Sequence, residues 1–237
     1  MATFVLIHGA MHGGWCWRPV EALLRGAGHE VHAPTLTGCG DRAHLATPAT
    51  GVGTHVDDVL ATLRMEEVRE GILVLHSYSG VLAGPVADAA GDRLSRVVAM
   101  GAFLAGPGES LGDVEPPEVA ARYRRLAAGS PDGWRIPASA EFLAQWSVPD
   151  PLRDSVGRRL TDFPLRCVEE PVMHDPAPLA ALPRDYVEHV SPRLHSLDGS
   201  VDRARREGWR MHRIATGHDL MLADPAGTAR LLMEIAS

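Results

Sequence analysis

The chain has 237 residues, a formal net charge of -7, 45% hydrophobic and 22% charged residues. That length suits one α/β domain with a sizeable core, and the acidic balance leaves no basic surplus to neutralise phosphates, which argues against a nucleic-acid partner. No apolar run approaches the roughly 20 residues of a membrane span, and residues 1–10 lack the basic start of a secretory signal, so a cytoplasmic protein without a membrane partner is expected.

Every basic residue other than His is Arg, and there is neither Lys nor Asn. Codon bias in a GC-rich bacterial genome accounts for this. It also removes lysine as a base, a Schiff-base former or a cyanide-stabilising cation. The three cysteines, Cys16, Cys39 and Cys167, are widely spaced without a metal-binding pair, which suits a reducing compartment.

The first expected strand covers 3–8, followed by a glycine-rich loop at 9–14 and a helix at 18–25 that stops near Gly26 and Gly28. A second strand at 30–34 leads through a loop over 37–54 to a helix at 55–63. There Val56, Val59, Leu60 and Leu63 share one face. Residues 72–75 are continuously apolar, as a strand buried on both faces requires. A small-residue helix at 81–90 and a strand at 96–100 follow. From 105 to 184 prolines and glycines interrupt the amphipathic pieces, including 117–127 and 151–160. This stretch is expected to be a cap inserted over the sheet edge, with 1–104 and 185–237 forming the core. Alternation resumes with strand 186–190, helix 199–207, strand 209–214 and helix 225–235. Asp224 and Pro225 supply the last helix with an N-cap and a first-turn proline. Strands alternating with helices predict a parallel sheet with crossover helices.

Ser77 stands between the apolar strand and the small-residue helix. Such a turn lifts a hydroxyl to the C-terminal edge of a sheet and aims a helix N-terminus at a developing oxyanion. Leu75 and Ser79 occupy the flanks where Gly-x-Ser-x-Gly has glycines, so helix capping is the competing role for Ser77. His8-Gly9-Ala10 ends the first strand, where Ala10 N–H and Tyr78 N–H could form an oxyanion hole; a plain glycine turn is the alternative. Thr216-Gly217-His218-Asp219 follows the last strand and returns a histidine to the same edge. Each signal alone has an ordinary explanation. Together, in the order Ser…acid…His, they predict an α/β-hydrolase fold with Ser77 as nucleophile and His218 as base.

The acid is expected after strand 186–190. Asp198 is the first candidate and Asp202 the next, although Asp198 could equally cap the following helix; Asp185 and Glu188 lie before or on the strand. Trp134, Phe142 and Trp146 are candidate cap walls for an apolar or aromatic group, with Tyr78 beside the nucleophile. Trp15 and Trp17 are expected beneath the oxyanion loop. The remaining histidines show no metal-ligand spacing, so neither metal nor cofactor is expected.

Phe4-Val5-Leu6-Ile7-His8-Gly9-Ala10, Gly14-Trp15-Cys16-Trp17 and Thr216-Gly217-His218-Asp219 resemble the plant methylesterase and hydroxynitrile lyase family and its bacterial relatives. The resemblance continues through Gly28-His29-Glu30-Val31, Asp132-Gly133-Trp134 and Tyr186. It implies a Ser/His/Asp esterase of small carboxylic esters, with the roles above falling on Ser77, His218, Ala10 and Tyr78. The family's acid falls on Pro192 or beside Ser191, which makes Asp198 a displaced substitute. The lyase branch has Thr and Lys where this chain has Gly9 and Asp219. The expected activity is therefore cofactor-free hydrolysis of a small or medium apolar or aromatic ester. The alternative is a non-hydrolytic binding protein, cyclase or lyase, favoured by Leu75 and the missing acid. A small-molecule substrate is the expected partner, and a homodimer is open.

Overall fold

The computed structural model describes residues 1–237. Its elements in chain order are strand β1 (Thr3–Ile7), helix α1 (Arg18–Gly26), β2 (Glu30–His32), α2 (Val52–Met65), β3 (Gly71–His76), α3 (Ala83–Ala90) and β4 (Leu94–Met100). There follow α4 (Leu111–Val114), α5 (Pro117–Ala128), β5 (Arg135–Ile136), α6 (Ala140–Gln145), α7 (Asp150–Gly157), β6 (Phe163–Pro164), α8 (Arg166–Glu169) and α9 (Pro176–Ala181). The chain closes with β7 (Arg184–His189), α10 (Asp198–Arg206), β8 (Arg210–Ile214), α11 (Leu220–Ala223) and α12 (Pro225–Ala236).

The main sheet has six strands in the order β2-β1-β3-β4-β7-β8, and every neighbouring pair is parallel. Alternation along the strands divides the apolar side chains between two faces. Phe4, Leu6, Ile72 and Val74 pack with Val20 and Leu24 of α1 and with Ala229, Leu232 and Ile235 of α12. Val5, Ile7, Leu73 and Leu75 pack with Val59 and Leu63 of α2, Val86 of α3 and Val201 of α10. Chain order reverses at β1 and β3. In open α/β sheets the crevice at such a reversal, beyond the carboxyl ends of the strands, is where ligands bind.

Residues between β4 and β7 form short helices and the antiparallel β5–β6 pair. Their apolar side chains, among them Phe142, Trp146 and Phe163, join the same buried cluster as Tyr78 and Leu82. The segment is thus packed onto the strand ends that carry the site. No helix is long and apolar enough to cross a membrane.

Several predicted elements meet different boundaries. The helix expected at 81–90 is a 3-10 turn at Ser77–Leu82 that passes into α3. Helix α2 starts at Val52, because Thr54 returns a hydroxyl to the Gly51 N–H and closes the N-terminus before the predicted start. Asp224 caps α12 through the Gly227 N–H at 2.8 Å, as its sequence position suggested.

Candidate active site

Strand β3 delivers Ser77 to the sheet edge in the left-handed region, with φ +56. A non-glycine residue held there costs of order 1–3 kcal/mol and persists only where its surroundings determine it. Those surroundings are visible. The Ser79 hydroxyl accepts the His76 N–H at 2.9 Å and lies within donor range of the Ile7 and His76 carbonyls. Phe103 N–H donates to the Ser77 carbonyl at 3.0 Å. A side chain at Gly80 would collide with the Phe103 carbonyl and the Ala102 methyl. The close approach that the usual motif gives to flanking glycines is therefore served one residue later, by Gly80. Leu75 is accommodated because its side chain turns into the apolar core, fully buried.

Across from the elbow, the loop after β1 runs against the serine. A Cβ on Gly9 would stand 2.8 Å from Ser77 Cβ and 3.3 Å from Ser77 Oγ. His8 fixes this loop from below: its Nδ1–H donates to the Gly9 carbonyl at 2.7 Å, and its Nε2 accepts the Leu36 N–H at 3.0 Å. Burial lowers the His8 pKa to about 3, so the ring stays neutral. Ala10 follows Gly9 directly in this loop, and its carbonyl oxygen lies 2.9 Å from His12 Nδ1. Tyr78 is buried, and its hydroxyl donates to His55 Nδ1 at 2.8 Å, while His55 Nε2–H donates to the Thr37 carbonyl at 2.8 Å. Trp17 is fully buried in the cluster of Phe4, Leu6 and Val20, with its ring edge-on to His76 at 6.3 Å.

His218 arrives after β8 and meets the serine: Ser77 Oγ lies 2.9 Å from His218 Nε2. Its backbone is held on both sides. The His218 N–H donates to the Trp146 carbonyl at 3.1 Å, and His76 Nε2–H donates to the His218 carbonyl at 3.0 Å. Burial is the main force lowering the His218 pKa, followed by the neighbouring His76, His189 and His12 rings. A neutral imidazole accepting at Nε2 is the state a general base needs.

The expected acid is corrected by the geometry. His218 Nδ1 is buried without a hydrogen-bond partner. Asp198 instead bonds Arg193 at 2.7 Å and His195 at 3.3 Å, with its side chain 41% exposed. It is the first residue of α10, but Leu197 is the N-cap and no side chain caps the helix start, so the capping role that competed for it in the sequence is not filled either. The other carboxylates considered are also engaged elsewhere: Asp202 with Arg205, Asp185 with Arg96 and His212, and Glu188 with Arg205 and Arg213. The space beside His218 Nδ1 belongs to Gly101 and His189. A Cβ on Gly101 would stand 3.5 Å from His218 Nδ1 and 2.9 Å from His189 Nδ1. Neither His189 ring nitrogen has a partner, and burial lowers its pKa to about 4.

Of the three cap aromatics, Trp146 reaches the site, through its carbonyl and through its ring, 5.2 Å from the His12 ring. Phe142 stacks on Trp146 at 5.3 Å, one layer further out. Trp134 lies apart, in a surface groove of about 450 Å³ with Leu165, Arg166 and Glu169. Two site residues that sequence patterning passed over are His12 and Asp219, buried and 3.2 Å apart. The adjacency of Asp219 to His218 was the available signal, but nothing in the linear pattern links it to residue 12. No group of three or more His, Cys, Asp or Glu is arranged to hold a metal ion.

A parallel sheet with a strained serine after its central strand, and a histidine bonded to it from the last strand's loop, defines the α/β-hydrolase class. The chain belongs to the alpha/beta hydrolase family, whose sequence profile matches residues 4–231. It is 35% identical to a carbendazim hydrolyzing esterase of Nocardioides sp. (strain SG-4G), over 98% of both chains. It is 32% identical to methyl jasmonate esterase 1 of Vitis vinifera, in an alignment spanning 47% of this chain and 43% of that one. Among solved structures, an extracellular alpha/beta-hydrolase from a Paenibacillus species superposes with TM-score 0.86 at 19% identity, covering 99% of each chain.

Proposed function

We propose that the protein is a cofactor-free serine esterase that hydrolyses a small or medium, apolar or aromatic carboxylic ester through an acyl-enzyme. The observation that carries this is the 2.9 Å hydrogen bond between His218 Nε2 and the hydroxyl of Ser77 on its strained elbow. His218 takes the Ser77 proton as Oγ attacks the ester carbonyl. The Ala10 and Tyr78 amides receive the oxyanion, and His218 returns the proton to the leaving alcohol. Water activated by the same base then clears the acyl group. The relationship to esterases supports ester hydrolysis in particular. Turnover of a p-nitrophenyl ester panel by the wild type and not by Ser77→Ala tests the reading; equal turnover by both sinks it.

A second reading has its own observation. His218 Nδ1 has no carboxylate, and the imidazolium formed during attack is uncompensated on that side. In serine proteases, losing the acid's function lowers kcat by about 10⁴. A protein of this build could bind an ester-like ligand with little turnover. Covalent labelling by a fluorophosphonate separates the two, since an activated Ser77 labels and an inert one does not.

A further inference from the structure

Asp219 follows the base directly, is 1% exposed, and is bonded to the oxyanion loop instead of to His218. Its Oδ2 lies 3.2 Å from His12 Nε2, and the other ring nitrogen, His12 Nδ1, lies 2.9 Å from the Ala10 carbonyl oxygen. A carboxylate and a carbonyl only accept hydrogen bonds. Both His12 nitrogens therefore donate, and the ring carries both protons. Burial opposes that charge, but the charge of Asp219, its hydrogen bond and the Ala10 carbonyl outweigh it and raise the His12 pKa. Asp219 is pushed up by burial and brought below the usual carboxylate range by His12. Two indoles approach the ring, Trp15 stacked at 5.5 Å and Trp146 tilted at 5.2 Å, and aromatic faces at such distances favour a cation. The other titratable groups facing this pair are the rings of His8, His76, His189 and His218, all held neutral by burial, and the buried Cys16 thiol, which burial and the charge of Asp219 keep protonated; Arg159 stands over Trp15.

The pair spans parts that the chemistry needs in register. Between Ala10 and His12 lies Met11, in the left-handed region at φ +65. The His12 bond to the Ala10 carbonyl closes the loop around it, and the cap's Thr161 N–H holds the Met11 carbonyl at 3.0 Å. At the other end, Gly217 packs against Ser147 and the Trp146 carbonyl, so the base loop is pressed to the cap.

We propose that His12 and Asp219 form a buried ion pair that clamps the oxyanion loop to the base loop, making both positioning residues for the Ser77 chemistry. The inference rests on the esterase reading, and its test separates the two. Histidine nitrogen NMR of the full chain at neutral pH is the direct measurement, with the His12 signals assigned in the wild type itself by sequential triple-resonance experiments that connect the ring to its backbone. An imidazolium in the wild type that becomes a neutral ring in Asp219→Asn is expected; a neutral His12 in the wild type overturns the proposal.

Kinetics supply the second readout. With folding verified by melting, Asp219→Asn and His12→Gln should each lose about ten- to hundredfold in kcat with KM within a few-fold, and Asp219→Glu should recover part of it. If both variants fold and keep kcat within twofold, the clamp has no positioning role. If they do not fold, the wild-type spectrum still decides the proposal. A wild type that fails to label with fluorophosphonate sinks the esterase reading and the positioning role with it, whereas the imidazolium spectrum then identifies a purely structural pair.

Discussion

The two sides of the His218 ring are built differently. Toward Nε2, each contact is determined: the serine is 2.9 Å away, its strained backbone is braced by Ser79 and Phe103, and the loop above it is pinned by His8. Toward Nδ1, Gly101 and the unpartnered His189 ring take the place of a carboxylate. The difference teaches that aim and orientation have separate supports here. The His218 ring is placed through its own backbone, by Trp146 and His76, whereas in the serine-protease triad a side-chain acid orients the histidine.

The largest expected effect comes from the determined side. Ser77→Ala or His218→Gln should lower kcat/KM for a short-chain ester by at least about 10³-fold. Ser77→Gly should in addition raise the melting temperature, because glycine relieves the positive φ at a saving of about 1 kcal/mol. A Ser77→Gly variant no more stable than Ser77→Ala would show that the elbow stores no strain. Next comes Gly9→Ala, whose new methyl would meet Ser77 Cβ at 2.8 Å. It should cost about 10² in kcat with Ser77 still present, and retained activity would mean that the loop has freedom to move away.

The buried rings on both sides of His218 predict a pH signature. His8, His76 and His189 are buried with pKa values of about 3, 4 and 4. The unfolded chain therefore binds more protons than the folded one between roughly pH 4 and 6.5. The contribution of these three rings is complete above that window and is lost as pH falls through it, at roughly 1 kcal/mol per pH unit for each ring. Urea unfolding from pH 8 to 4 measures it, and a flat profile would contradict neutral burial. With His218 as the proposed base, its lowered pKa should place the acid limb of a measured kcat/KM profile below the usual histidine value, because a general base acts only when neutral. Glu115 has the opposite sign. Burial raises it to about 8, so its contribution to stability is present at low pH and is lost as pH rises from about 4.5 toward 8. Glu115→Gln should stabilise the fold at pH 8 by about 1–2 kcal/mol and leave pH 4 unchanged.

How much of this was legible in the sequence follows the range of the forces involved. Strands β1 and β3 and helix α12 were readable, because local periodicity and caps specify them. Ser77, His218 and the loop at Gly9 were readable because a strand end fixes where a side chain emerges. The acid was not, because placement after β7 does not say whether a carboxylate turns inward, and Arg193 and His195 hold Asp198 outward. The His12–Asp219 contact was invisible for the same reason: it joins residues 207 positions apart through the packing of two loops.

The smallest expected effect sharpens the comparison most. If the Nδ1 side works without a carboxylate, Asp198→Asn should leave kcat and KM within about twofold. It should cost stability by no more than about 1 kcal/mol, since its partners are exposed ion pairs. The substitution keeps the shape and removes the charge, so it asks only whether that charge reaches His218. A tenfold or larger loss in kcat at unchanged stability would place Asp198 in the reaction and require α10 to rearrange when substrate binds. An unchanged kcat beside a folded, fluorophosphonate-reactive Ser77 would establish that this serine is activated by a histidine held in place by its backbone.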